Sequence, residues 1–134
     1  MSLAADLSAA LPSLQVAAES LMVDACIIER PGEPVTDPET GVVSPSHTLV
    51  YEGRCKLQQT LAQSSSREAG GAVYTTQDTR LDIPVGVGPV RVGDWVTMVS
   101  GAHNPDIAGT RFRVMGPFEK SWQTAQRLRV EELT

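Results

Sequence analysis

The sequence predicts a mainly β protein, an antiparallel barrel or sandwich, and most simply a small antiparallel β-barrel of about six strands with an N-terminal helix. From residue 23 onward, short apolar runs are separated by connections rich in Gly, Pro, Ser, Asn and Asp. These connections are too short for the crossovers that join parallel strands. Only six aromatic residues are present, so the core must consist mostly of Val, Leu and Ile, which favour strands.

The length of 134 residues is enough for one domain that buries a core without disulfides or a metal. We divide the chain into an N-terminal helix, or N-terminal arm, at residues 1–22 and a β-barrel domain at residues 23–134. Within the barrel domain, long loops are expected at 31–48 and 58–72.

Residues 3–22 form the one segment with convincing helical periodicity, because apolar side chains recur every three or four positions. Pro12 lies inside this segment and removes a backbone donor. We expect either a kink at Pro12 or a helix that begins near it. The helix should pack on the sheet or reach a neighbouring subunit.

The predicted strands follow in order, each ending at turn-forming residues. They cover residues 24–30, 49–58, 72–84, 95–100, 110–118 and 125–133.

The first hairpin has a possible symmetry about its tip. If the tip is centred between Thr40 and Gly41, Cys26 lies opposite Cys55. A shift of one residue would destroy this pairing. The alternative is two unrelated buried thiols in a reducing compartment. Two Cys and two His at scattered positions also predict no zinc site and no cofactor.

Charge is distributed unevenly along the chain. Residues 1–66 contain eight acids and three bases, whereas residues 67–134 contain eight of each. Tight nucleic-acid binding requires several Lys or Arg facing phosphates, which the acidic half does not provide.

No apolar run is long enough to span a membrane, and the N-terminus lacks the basic region of a secretory signal. We therefore expect the protein to stay in the cytoplasm of the cell that makes it.

The stretch IPVGVGPVRVGDWVTMVSG, residues 83–101, raises the question of a phosphate-binding loop. Such a loop needs a third glycine after Gly86 and Gly88 and a following helix, but Arg91 occupies that position and a strand follows. We instead expect a turn that leads into a strand. Gly93 would supply its unusual backbone conformation and Asp94 would cap it.

No catalytic group of residues can be assembled from the sequence. His47 and His103 lie in predicted loops, where solvated turn residues are expected. Glu131 and Glu132 should point to opposite faces of a strand.

Two features predict an interface. Arginines alternate with apolar residues on two predicted neighbouring strands, where they would share one face: Arg111, Arg113, Arg127 and Arg129. This face is either solvated and paired with Glu119 and Glu131, or it binds a subunit or partner.

Trp122 lies at a predicted hairpin tip, where it either folds back over the barrel end or contacts a partner.

Several stretches, taken in their order and spacing, resemble the head-to-tail stopper (head closure) proteins of tailed bacteriophages that infect actinobacteria. The resemblance covers residues 20–134 and depends on IIERPG, TDPETG, VYEGRCKLQ, VRVGDWVTMV and IAGTRFRVMGPFEKSWQTAQRLRVEEL. It implies a non-enzymatic structural protein of the virion that is assembled in the host cytoplasm. The alternatives are another neck or tail component, such as a tail terminator or adaptor, or a β-barrel module that binds nucleic acid.

The resemblance also implies partners. We expect a homo-oligomeric ring below the portal and adaptor that contacts tail terminator or tail tube proteins, with packaged DNA passing without sequence-specific binding and no membrane involved. Glu33, Asp37 and Glu39 are candidates for lining the lumen, for which a loop that faces outward is the alternative. Ser64, Ser65, Ser66 and Arg67 form a candidate gating loop, for which a connection without function is the alternative.

Overall fold

A computed structural model describes residues 2–63 and 75–133 and confirms the predicted architecture, a closed antiparallel six-stranded barrel with one N-terminal helix. The elements in chain order are α1 (Leu3–Ser20), β1 (Asp24–Pro31), β2 (Val35–Thr36), β3 (Val43–Ser44), β4 (His47–Gln63), β5 (Thr75–Ile83), β6 (Trp95–Ser100), a 3-10 turn (Pro105–Ile107), β7 (Arg111–Phe118) and β8 (Gln126–Glu132).

The barrel closes in the order β1-β4-β5-β8-β7-β6, with β6 returning to β1. All six pairings are antiparallel. Because each strand has two neighbours, closure satisfies the backbone groups that an open sheet leaves at its edges.

The barrel interior is the hydrophobic core, and it consists mostly of Val, Leu and Ile as the composition predicted. On β7 and β8 the buried side chains alternate with outward ones, as the two-residue period of a strand requires. The largest fully buried side chain is that of Phe112.

Helix α1 lies outside the barrel and buries none of its residues. Ser2 caps it by accepting a hydrogen bond from the Ala5 N–H. The expectation that the helix begins near Pro12 is wrong, because α1 runs through this residue from Leu3. Among the described residues, two polar contacts connect α1 to the barrel domain. Gln15 donates a hydrogen bond to the Gln123 carbonyl, and Glu19 pairs with Arg54.

The two predicted loops differ from the structure. Residues 31–48 contain a second hairpin, β2 with β3, which continues the β1–β4 hairpin beyond the barrel. We call residues 31–48 the arm. Residues 58–63, expected to begin the second loop, belong instead to β4 and pair with β5. The rest of that predicted loop, 64–72, lies outside the described residues.

The first hairpin pairs two positions away from the expected register. Cys26 lies opposite Gly53, not Cys55, because the tip closes between Asp37 and Val42, where the Asp37 N–H donates to the Val42 carbonyl. A shift of two residues preserves the face of each side chain. The cysteines are therefore diagonal neighbours, both fully buried as free thiols.

The buried Phe112 provides a test of the core. We expect Phe112→Ala to lower the free energy of unfolding by about 3 to 5 kcal/mol, because it leaves a cavity that the barrel wall cannot fill. Phe118→Ala is the matched control, since Phe118 lies on the same strand with 49% of its surface exposed, and it should cost less than about 1 kcal/mol. Urea unfolding measures both, and equal losses would contradict the assigned core.

The buried thiol of Cys55 predicts a pH dependence of stability. Its contact with the Cys26 thiol, followed by burial, raises the pKa of Cys55 far above the ordinary value. In the unfolded chain the thiol ionises near pH ~8.5. Its contribution is therefore complete below that pH and declines above it, by up to about 1.4 kcal/mol per pH unit.

Urea unfolding at pH values between about 7.5 and 9.5 measures this decline. Burial raises the pKa of Tyr51 to about 12, and this group begins to contribute only above pH ~10. Cys55→Ala should make the decline shallower. An unchanged decline in that variant would show that Cys55 is not its source.

Candidate functional site

The glycine-rich stretch forms a turn that leads into a strand, as predicted. Residues 84–94 contain no helix, and β6 begins directly after Asp94. The Asp94 N–H donates to the Arg91 carbonyl, and Gly93 has the positive φ of +94° that this turn requires. The segment therefore lacks the helix N-terminus on which a phosphate loop depends.

Asp94 is more than a surface cap, because only 1% of its surface is exposed. Its Oδ2 accepts a hydrogen bond from the Arg91 N–H at 2.8 Å. The guanidinium of Arg30, at the end of β1, donates from Nε to Oδ1 at 3.0 Å and from Nη2 to Oδ2 at 3.1 Å. This paired geometry is the strongest that Arg and a carboxylate form.

The same pair joins three parts of the barrel. Arg30 Nη2 also donates to the Pro89 carbonyl. On the other side, the Gly93 N–H donates to the Val114 carbonyl and the Val114 N–H donates to the Asp94 carbonyl. Arg30 and Asp94 thus fasten β1 to the 89–94 turn and to β7.

The residues considered for catalysis remain apart. His47 lies in β4 and not in a loop, and its Nε2 is 2.7 Å from a carboxylate oxygen of Glu29. His103 is exposed in the connection after β6. Glu131 pairs with Arg113 at 3.6 Å. Within residues 2–63 and 75–133, no group of three or more His, Cys, Asp or Glu side chains is arranged to hold a metal.

The predicted arginine face exists on the outside of β7 and β8. Phe112, Val114, Leu128 and Val130 point into the core, and the alternating arginines point outward. A bulge between Val114 and Gly116 shifts the pairing, so the arginines do not oppose one another. Arg113 instead lies opposite Glu131, Arg129 opposite Gly116 and Arg127 opposite Phe118.

The four arginines have different surroundings. Arg111 stacks on Trp95 with its guanidinium carbon 5.3 Å from the ring centre. Arg113 pairs with Glu131, as expected for a solvated face, and Arg129 is 3.4 Å from Asp78. Arg127 is partly buried, and its Nε has no hydrogen-bond partner in the described part of the chain.

Trp122 lies in the β7–β8 loop with 44% of its surface exposed. Phe118 and Met115 on β7 are also exposed. Together with the arginines they make this wall both apolar and charged, which is the composition of protein interfaces. A groove of about 660 Å³, lined by Met115 and Phe118 among others, runs along it.

The acidic candidates lie on the arm. Glu33, Asp37 and Glu39 are all exposed. The Asp37 Oδ1 accepts a hydrogen bond from the Glu39 N–H, and this bond, together with the Thr40 hydroxyl, lowers the pKa of Asp37 below its ordinary value.

The candidate gating residues Ser64, Ser65, Ser66 and Arg67 lie outside the described residues. No helix in the described part of the chain is long and apolar enough to cross a membrane.

The chain belongs to a family of unknown function, DUF6093, whose model matches residues 14–131. That match includes the last part of α1, from residue 14, together with the arm and the barrel strands as far as residue 131. No functionally curated protein matches the chain.

Sequence reasoning identified the Gly93–Asp94 turn but missed the partner of Asp94. The only signal was that Arg30 is the first basic residue of the chain and follows an apolar strand. That pattern does not indicate which acid it meets.

The Asp94 carboxylate provides a test of how this end of the barrel is held. In Asp94→Asn, an NH₂ group replaces one accepting oxygen, and in either orientation it faces an N–H donor of Arg30 or Arg91. We expect a loss of about 2 kcal/mol in urea unfolding. Glu131→Gln makes the same acid-to-amide change in the exposed pair with Arg113 and should cost less than about 1 kcal/mol. If the two variants are equally stable, Asp94 does not hold this end of the barrel.

Proposed function

We propose that this protein is a structural component of a bacteriophage virion, the head-to-tail stopper, which forms a ring below the portal and its adaptor. The ring retains packaged DNA and receives the tail. The resemblance of residues 20–134 to stopper proteins supports this proposal. The proposed protein is assembled in the host cytoplasm, is not an enzyme and needs no cofactor.

The location of the exposed apolar side chains is the observation that best supports an assembly role. Many of them lie on the arm, on α1 and on the β7–β8 wall with its loop, and others lie on β4, on β6 and in the 84–94 turn. The first group includes Val35, Val42, Val43, Leu3, Leu14, Val16, Phe118 and Trp122. Exposed apolar groups are stabilised when a partner covers them. A subunit that is surrounded by copies of itself and by other neck proteins would cover several such surfaces at once.

Several of the ionic groups are paired within the chain. Asp94 is held by Arg30 and the Arg91 N–H, Glu131 pairs with Arg113, and Arg111 stacks on the ring of Trp95. A barrel that binds single-stranded nucleic acid would present aromatic rings along a basic groove. The stacking of Arg111 on Trp95 and the acidic arm favour the stopper over that alternative.

The role of the arm acids in the lumen remains a prediction from the resemblance. Glu33, Asp37 and Glu39 would give a negative surface past which DNA slides without binding.

Cryo-electron microscopy of virions from a phage that encodes this chain tests the proposal directly. We expect a symmetric ring of this barrel at the head-to-tail joint, directly below the adaptor. Density for the chain at another level of the neck or tail would favour a tail terminator or adaptor instead.

A second experiment tests the nucleic-acid-binding alternative by titrating the purified protein with short DNA at low salt. Here we expect no tight binding, because half of the chain is acidic. Absence of the chain from the particle together with tight DNA binding would replace the stopper by a nucleic-acid-binding module.

A further inference from the structure

We propose that the acidic arm of one copy binds a basic pocket on the β5–β8 wall of the next copy. This inference rests on the proposed ring and names the two surfaces that would build it. The occupant of the pocket is a second copy of this chain.

The arm makes no contact that buries it. Every residue from 31 to 45 is exposed, and its backbone hydrogen bonds join only its own two sides. Three valines on it, Val35, Val42 and Val43, are 58% to 60% exposed. Such an apolar projection is stabilised when a partner covers it.

The charge of the arm is entirely negative. It carries Glu33, Asp37 and Glu39 and contains no Lys or Arg. Asp37 is engaged in the tip turn through the Glu39 N–H. The carboxylates of Glu33 and Glu39 have no ion-pair partner among the described residues and are therefore available to a partner.

The basic pocket has a volume of about 200 Å³ and lies where β5, β8 and the β7–β8 loop meet. Four cations line it, with Asp78 as the one acid and Phe118 as the apolar wall: Arg80, Lys120, Arg127 and Arg129. Two of these cations are already paired, Arg80 with Asp82 and Arg129 with Asp78. Lys120 and Arg127 have no acidic partner in the described part of the chain.

Arg127 supplies a second sign that the pocket is incomplete. Its Nε is buried without a hydrogen-bond partner in residues 2–63 and 75–133, and a buried donor without an acceptor is costly. A carboxylate entering the pocket would accept that hydrogen bond, while Phe118, which is 49% exposed, would contact the valines of the arm.

The barrel topology places the arm and one side of the pocket, formed by Phe118, Lys120 and Arg127, at the same end of the barrel but on opposite sides. Strand β1 ends where the arm begins, and because all pairings are antiparallel, the end of β7 and the start of β8 lie at this same end. Two strands separate β1 from β8 by either route around the barrel. The arm therefore leaves the barrel on the side away from its own pocket. An arm that binds the pocket of the next copy, repeated in one direction, makes a head-to-tail contact, which forms a ring when the rotation between copies closes.

Two charge-reversed variants test the contact. The arm variant carries Glu33→Lys and Glu39→Lys, and the pocket variant carries Lys120→Glu and Arg127→Glu. Sedimentation velocity measures self-association up to roughly 1 mM protein, at an ionic strength of about 0.05 M, where charges are weakly screened. The wild-type chain should associate with increasing concentration, and added salt should weaken this association.

Each variant alone should associate roughly 100-fold more weakly, because each brings like charges together. An equimolar mixture should recover association, since both arm–pocket contacts between the two variants again join opposite charges. A matched control, Arg54→Glu with Arg91→Glu, changes the net charge as much as the pocket variant does, and both residues are exposed and outside the pocket. It should associate within about threefold of the wild type.

The proposal would be overturned by a wild-type chain that stays monomeric, by variants that associate normally, or by a mixture that does not recover association. If Arg127→Glu unfolds the chain, Lys120→Glu alone, on an exposed loop, carries the test. A pocket that binds short duplex DNA but no second copy would have phosphate as its occupant, which also overturns the proposal.

These outcomes are separate from those of the virion experiment. A chain that associates through the arm but is absent from virions contradicts only the stopper function. A ring in the neck whose arms lie elsewhere contradicts only the arm–pocket contact. That contact would also place Glu33 and Glu39 against a neighbour and not in the lumen.

Discussion

The contact of the buried Asp94 carboxylate with the partly exposed Arg30 guanidinium is the constraint on which one whole end of the barrel depends. A carboxylate that is almost completely removed from water is stable only when its oxygens accept hydrogen bonds and its charge is matched. Arg30 and the Arg91 N–H meet that requirement. Because Arg30 immediately precedes the arm and Asp94 immediately precedes β6, satisfying one carboxylate also fixes where the arm leaves the barrel and how the β1–β6 seam begins.

The features that the sequence predicted well are those that depend on local patterns. The six barrel strands were found because short apolar runs are separated by turn-forming residues, and β6 was predicted to the residue, since Gly93–Asp94 marks its start. The unpredicted features depend on distant parts of the chain. Arg30 and Asp94 are 64 positions apart, and the register of the first hairpin depends on a tip that closes at Asp37 and Val42.

The candidate surfaces show the same division. The sequence identified the acidic first half and the alternating arginines, because charge and period can be counted. It did not show that Arg127 would be partly buried beside Lys120 while Arg111 stacks on Trp95. Those differences follow from the bulge in β7 and from the order in which the strands close. Gly116, inside β7, is a residue that often marks a bulge, but the strand order has no such signal in the residues. Membership in a family of unknown function leaves these surfaces as the basis for any functional argument.

The continuity of β4 has a mechanical consequence. This strand spans His47–Gln63 without a break, pairing with β1 from the root of the arm and with β5 to its far end. Backbone hydrogen bonds between antiparallel strands lie across the strand direction. A pull on the arm along that direction therefore loads many of them in shear, so that they resist together and do not open one at a time. The arm is thus anchored as a tether that can bear tension along the strand, with its load shared by the barrel wall.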